Sequence, residues 1–175
     1  ETESRPTAGN INSKNRVGNS SASSYQTESP SKSSFTRSEK LNPGETISLN
    51  ETDTAQWKKI PGIGSTFAAR IVKYGKSMGG YVNKEQLKEV YGIDNELFIR
   101  ISAFIDEDQN FSRLLINKLE FQSLLSHPYL NYKQVQAILN LRKKKGKIDS
   151  IRELGILDEF TSDDIARLQP YLDFQ

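Results

Sequence analysis

Five residues, Pro61-Gly62-Ile63-Gly64-Ser65, carry the clearest chemical signal in the chain. A short helical segment ends at Pro61, because proline disfavours helical dihedrals in the residue before it. Gly62 and Gly64 permit a tight bend and let a partner approach the backbone closely. Ile63, between them, is free to plug into a core. A new apolar periodicity starts directly afterwards, with Phe67, Ala68, Ile71 and Val72 on one face of a helix over 65–77. The first N–H groups of that helix then point out of the turn, which is an arrangement suited to an anion such as phosphate. At 100° per residue, Thr66, Arg70, Lys73 and Ser77 share one polar stripe on the opposite face. Lys58 and Lys59 stand just before the bend. The expected phosphate site is therefore Gly62, Ile63, Gly64, Ser65 and Thr66, with Arg70, Lys73, Lys58 and Lys59 around it.

Three further segments occupy comparable places without the same chemistry. Gly92-Ile93-Asp94 has a carboxylate where the second glycine would stand, which repels phosphate. Pro128-Tyr129-Leu130-Asn131 has no glycine, and the bulk of Tyr129 is expected to hinder close backbone approach. Leu157-Asp158-Glu159-Phe160-Thr161 carries two acids. The densest basic run lies elsewhere, at Arg142, Lys143, Lys144, Lys145 and Lys147, where it complements a helix C-terminus and offers a secondary contact to nucleic-acid backbone.

The elements that must position these residues occur twice. A shift of 67 residues lays 47–106 on 114–173 without a gap, pairing Asn50 with Asn117, Pro61 with Pro128, Gly79 with Gly146 and Leu87 with Leu154. Apolar positions keep the same register, from Leu49/Ile116 and Trp57/Leu124 to Phe104/Tyr171, as a duplicated unit requires. Each unit reads as four short helices. Asn83 with Gln86, and Ser150 with Glu153, predict capping boxes, and Asp94 predicts another helix start. Ile47–Leu49 and Leu114–Ile116 are expected as short extended lead-ins. The aromatics Trp57, Phe67, Tyr81, Phe98, Phe104 and Tyr171 fall at core spacing. The boundaries expected are a disordered polar tether over 1–45, a first domain over 46–106, a connector over 107–113 and a second domain over 114–175. In the tether, Ser, Thr, Asn, Gln, Gly and Pro fill 27 of 45 positions.

Composition narrows the chemistry. With 175 residues, 24 basic against 22 acidic and no cysteine, the chain has no disulfide, thiolate or zinc-ribbon chemistry. Its net charge of +2 restricts any nucleic-acid contact to a local patch. One histidine, His127, has no ligand or catalytic partner set in the sequence. Asp163 and Asp164 read as helix-capping acids. No cofactor, no metal, no small-molecule substrate and no catalytic residue are expected. The chain opens on Glu1, not Met, so a removed leader or anchor is expected upstream.

The hydrophobic-Pro-Gly-Ile-Gly string with Ala68-Ala69-Arg70-Ile71 behind it resembles the helix-hairpin-helix motif. The unit from Ile47-Ser48-Leu49-Asn50 to Tyr91-Gly92-Ile93-Asp94 resembles the tandem domain of ComEA-type competence DNA receptors, and the second unit fits it more loosely. The resemblance implies an all-α fold: two tandem helix-hairpin-helix (SAM-like) domains of short helices after a disordered tail. It implies sequence-independent binding of double-stranded DNA through backbone amides on phosphates, in DNA uptake or repair. It also implies a bacterial, extracytoplasmic setting with an N-terminal anchor, and otherwise a cytoplasmic one. The same domain type serves extrinsic photosystem subunits without binding DNA. The alternative is therefore a structural or protein-interaction module, with a protein partner held by the second unit.

Overall fold

A computed structural model describes residues 39–175, and most of the expected tether (1–38) lies outside the described residues. The described chain is mostly helical, with short helices and little strand. In its first half, β1 (Ile47–Ser48) precedes α1 (Thr54–Trp57), α2 (Ser65–Met78), a 3₁₀ helix (Lys84–Glu89), α3 (Asn95–Ser102) and β2 (Ile105–Asp106). The second half runs through β3 (Leu114–Leu115), α4 (Phe121–Leu125), α5 (Tyr132–Lys145), α6 (Ile151–Leu154), α7 (Ser162–Leu168), a 3₁₀ turn (Gln169–Tyr171) and β4 (Leu172–Asp173).

The lead-ins are strands that close each half on itself. β1 pairs in parallel with β2, Ile47 facing Ile105, and β3 pairs with β4, Leu114 facing Leu172. These pairings obey the 67-residue shift. So does a side-chain clamp: Asn50 Nδ2 donates to the Tyr81 carbonyl at 3.0 Å while its Oδ1 accepts the Tyr81 amide. Asn117 does the same with Ile148 in the second half. Gly79 and Gly146 end the two long helices at positive φ, 80° and 90°, where a side chain would be strained. Two of the identities between the halves, Asn50/Asn117 and Gly79/Gly146, thus fall on a closure and a stop.

Two local expectations change. Asn83 and Gln86 do form a capping box, but on a 3₁₀ helix and not an α-helix. Ser150 and Glu153 do not form one. Glu153 instead accepts the Asp149 amide at 3.0 Å and pairs with Lys145, so α6 starts without a side-chain cap at Ser150.

Apolar faces of both halves merge into one buried cluster. Trp57, Ile60, Ile71, Leu87 and Ile101 fill the first half, and Leu124, Val135, Ile138, Leu154 and Leu168 the second. Tyr171 joins them. Its hydroxyl donates to the Gly80 carbonyl at 2.9 Å and accepts from Gln86 Nε2, while its ring meets His127, Tyr129 and Phe111 edge to face. Of the expected core aromatics, Trp57, Tyr81, Phe98 and Tyr171 are buried and Phe67 and Phe104 partly so.

Candidate nucleic-acid interface

α1 ends at Trp57, and the chain reverses through Ile60-Pro61-Gly62-Ile63-Gly64 into α2. The Ile63 amide donates back to the Ile60 carbonyl at 3.1 Å, and Gly62 sits at φ +93°, in the left-handed region. Ile63 is buried, so it anchors the bend from inside. Pro61, Gly62, Gly64, Ser65 and Thr66 are exposed. A methyl group placed on Gly64 would meet nothing within 4 Å. Gly64 is the N-cap of α2 and has no side chain to fill that role. The N–H groups of Ser65 and Thr66, in the first turn, therefore face solvent with no internal partner.

The same turn recurs three times. Ile93 donates to Val90, Leu130 to His127 and Phe160 to Leu157, at 3.0, 3.0 and 3.1 Å. The residue at the helix start after each bend is different. Asp94 caps α3 by accepting the Leu97 amide at 2.7 Å, Asn131 caps α5 through Gln134 at 3.0 Å, and Thr161 caps α7 through Asp164 at 3.1 Å. Asp164 returns the bond to Thr161, so this acid serves a capping box. Among the described turns of this kind, only the one at Gly64 leaves its helix N-terminus uncapped.

The expected cations divide by their partners. Lys73 is exposed on α2, and Lys58 and Lys59 are half-buried before the bend. Arg70 is drawn sideways: its Nη1 donates to the Tyr91 carbonyl at 3.1 Å, and its guanidinium lies 4.8 Å from the Tyr91 ring centre. It braces the first turn against the second. Leu97 also touches the first turn, 3.3 Å from where a Gly62 side chain would begin. Of the second turn's exposed acids, Asp94 caps the helix that supplies Leu97 and Glu96 lies in its first turn.

The basic run ends α5, a 14-residue helix whose other end carries the third turn, roughly 20 Å away. Arg142 donates to the Leu119 carbonyl at 2.6 Å, and Lys145 pairs with Asp149 and Glu153, each at 2.8 Å. Lys143, Lys144 and Lys147 stay exposed.

Tyr129 corrects the expectation made for it. It does not stand in the way of an approaching partner; it is buried between the halves. Its hydroxyl accepts from Gln86 Nε2 at 2.9 Å and donates to Glu89 at 3.0 Å. Glu89 also accepts from Tyr74 at 2.7 Å and pairs with Arg167 at 3.0 Å, whose guanidinium covers the Tyr129 ring. The third turn is thus spent on joining the halves. His127, next to it, is buried, accepts the Tyr129 amide through Nδ1 and leaves Nε2 without a properly formed hydrogen bond. The Met78 backbone is near that side chain.

One contributor has no signal in the motif. Lys40, inside the expected tether, donates from Nζ to the carbonyls of Lys58, Ile60 and Ile63 at 2.5, 3.1 and 3.3 Å. The next residue, Leu41, donates its amide to the Lys59 carbonyl at 2.9 Å. Residues 40 and 41 therefore belong to the hairpin and not to a free tail.

Residues 42–106 match the family model of the helix-hairpin-helix motif. The matched stretch contains every element from β1 to β2 and ends before the second half. No curated protein and no solved structure matches the chain.

Proposed function

We propose that the first half binds double-stranded DNA without sequence preference, seating a backbone phosphate on the open amides at Gly62–Thr66. Helix-hairpin-helix motifs generally serve nonspecific DNA binding, and the observation that carries the reading here is the uncapped, exposed start of α2 at Gly64. Backbone amides on phosphates set register but read no bases. Lys73, Lys58, Lys59 and Thr66 line the approach, while Arg70 holds the neighbouring turn in place. With one open turn, affinity is on the order of micromolar or weaker and falls steeply with salt. The second half braces the first, through Tyr129 and Tyr171, and offers Lys143, Lys144 and Lys147 as a separate basic strip. It is a duplicated, degenerate copy of the first in this reading. The role is one of binding and not of catalysis. The pathway that best fits the ComEA-type resemblance is DNA uptake. Among the described residues no helix is long and apolar enough to cross a membrane.

The test is fluorescence anisotropy with two labelled duplexes of unrelated sequence, across a salt series. Equal affinities with a steep salt dependence support the reading. Absence of binding at low salt, or binding that survives Gly64→Asp unchanged, overturns it. A second reading, a protein-interaction module, draws on the three capped turns and on the burial of the third between the halves. Its signature is a stable oligomer in sedimentation together with no affinity for duplex.

A further inference from the structure

We propose that the outer face of α5 in the second half is a binding surface for single-stranded DNA, separate from the duplex site at Gly62–Thr66 and not dependent on it. At 100° per residue, Tyr132, Gln136, Asn140, Lys143 and Lys144 lie within about 120° of one another along this helix, and all of them are exposed. Lys147 follows just past the helix end and is exposed as well. α5 contains no acidic residue. Asp149 and Glu153, the acids that follow it, are held by Lys145, which stands roughly opposite Gln136 on the helix.

The stripe is ordered by chemistry. At its start Tyr132 keeps 62% of its surface exposed, and its ring is set edge to face on Phe121, with centroids 5.2 Å apart. A ring held in this way offers a flat face and has little rotamer freedom left to lose on binding. Gln136 and Asn140, joined by a 3.3 Å hydrogen bond, occupy the middle. The lysines stand at the far end, about 20 Å from the ring. An aromatic face, then amides, then ammonium groups match the base faces, base edges and phosphates of an unpaired strand over about four nucleotides. A duplex engages only the lysines, because its base faces are stacked on one another and closed to the ring. An acidic protein segment likewise meets the lysines and leaves the ring unused.

The two halves differ in the same direction. On the 67-residue shift Tyr132 falls on Ser65, Phe121 on Thr54, Gln136 on Ala69, Lys144 on Ser77 and Lys147 on Gly80. The first half has small side chains where the second has rings, an amide and cations. The third turn is closed by its Asn131 cap, and the helix behind it carries the contact on its side chains instead.

The test uses the full chain and a short fluorescein-labelled oligothymidylate, which forms no duplex, followed by anisotropy in a salt series. Saturable binding is expected at low salt. Tyr132→Ala weakens it about tenfold, the scale of one lost base–aromatic stack, while Tyr132→Phe keeps wild-type affinity. Replacing Lys143, Lys144 and Lys147 together by glutamine flattens the slope of log K against log salt by about 2, at about 0.7 for each single-strand phosphate contact. In the wild type the ring resonances of Tyr132 shift on titration with the oligonucleotide, an effect that needs no substitution. Gly64→Asp binds the oligonucleotide as the wild type does, so the two sites fail separately: a chain that binds oligothymidylate through Tyr132 but no duplex sinks only the duplex site. Absence of oligonucleotide binding at low salt, or equal affinity of Tyr132→Ala and the wild type, overturns the proposal. So does displacement of the oligonucleotide from the Gly64→Asp chain by duplex or by polyglutamate as readily as by unlabelled oligothymidylate, which would leave a surface that senses charge alone.

Discussion

The Asp94 carboxylate accepts the Leu97 amide at 2.7 Å, which closes the second turn of the first half to any outside anion. Backbone shape does not separate this turn from the first, since Gly62 and Gly92 have the same φ of +93° and both bends carry the same backbone bond. The residue at the helix start separates them. Asp94→Gly is therefore expected to open a second phosphate site beside the first. Because glycine is itself an acceptable N-cap, the cost in stability is only a few tenths of a kcal/mol, roughly. Duplex affinity rises, and the slope of log K against log salt steepens by about 0.9 for each added phosphate contact. Anisotropy in a salt series measures both.

Gly64→Asp is the reciprocal change and the cleaner knockout. Gly64 has φ −103° and ψ −179°, which any residue adopts, and there is open space where a side chain would go. Aspartate there caps α2 and places a carboxylate on the phosphate position. DNA binding is lost, while thermal stability stays level or rises slightly. Gly62→Asp is less informative. It forces a side chain into the left-handed region, at about 1–2 kcal/mol, and toward Leu97. A Gly64→Asp protein that melts normally in circular dichroism but keeps wild-type affinity removes the site from the bend.

Much of this was legible because the decisive residues act locally. Pro61, Gly62 and Gly64 announce a bend by backbone preference, and Asp94 announces a helix start by side-chain chemistry, all within three residues of their effect. The repeat register was legible because Asn50/Asn117 and Gly79/Gly146 sit at closures the fold cannot omit. What escaped depends on contacts far apart in sequence. Arg70 meets Tyr91 across 21 residues, Tyr129 meets Gln86 across 43, and Lys40 reaches Ile63 across 23. Periodicity places each of these on an exposed face or in a polar tail and cannot say what folds back onto it. The two-residue parallel pairings of β1 with β2 and β3 with β4 escaped for the same reason. Such short strands carry no alternation to detect.

The two halves are expected to melt as one unit. Gln86, Glu89, Tyr129, Arg167 and Tyr171 are linked across the boundary, and the surrounding aromatic rings are packed edge to face. Tyr129→Phe keeps the ring and removes the hydroxyl shared by Gln86 and Glu89, at about 1–2 kcal/mol. Tyr129→Ala also empties the space, at roughly 3–5 kcal/mol. Calorimetry should show a single transition that moves down in that order. Two separate transitions in the wild type would mean that this network does not couple the halves.

The pH dependence of stability should carry the mark of His127. Burial pushes its pKa down to about 4 from an ordinary value of 6.5, with only the nearby Met78 backbone working against the shift. Tyr129 and Tyr171 face its ring and supply no negative charge at neutral pH. The unfolded chain therefore binds a proton on this side chain at pH values where the folded chain does not. Stability from this group is complete above pH 6.5 and is lost as pH falls through the folded value, on the order of 3 kcal/mol in all. Tyr171 acts at the other end. Burial raises its pKa to about 12, so its contribution is present below pH 10 and is lost as pH rises through that range. Urea titrations from pH 7 to pH 4 on the wild type and on His127→Phe separate the histidine from the carboxylates. The wild type should lose stability more steeply, and the difference between the two curves should have its midpoint between the two His127 values. Parallel curves would show that the imidazole is protonated inside the fold as readily as outside it.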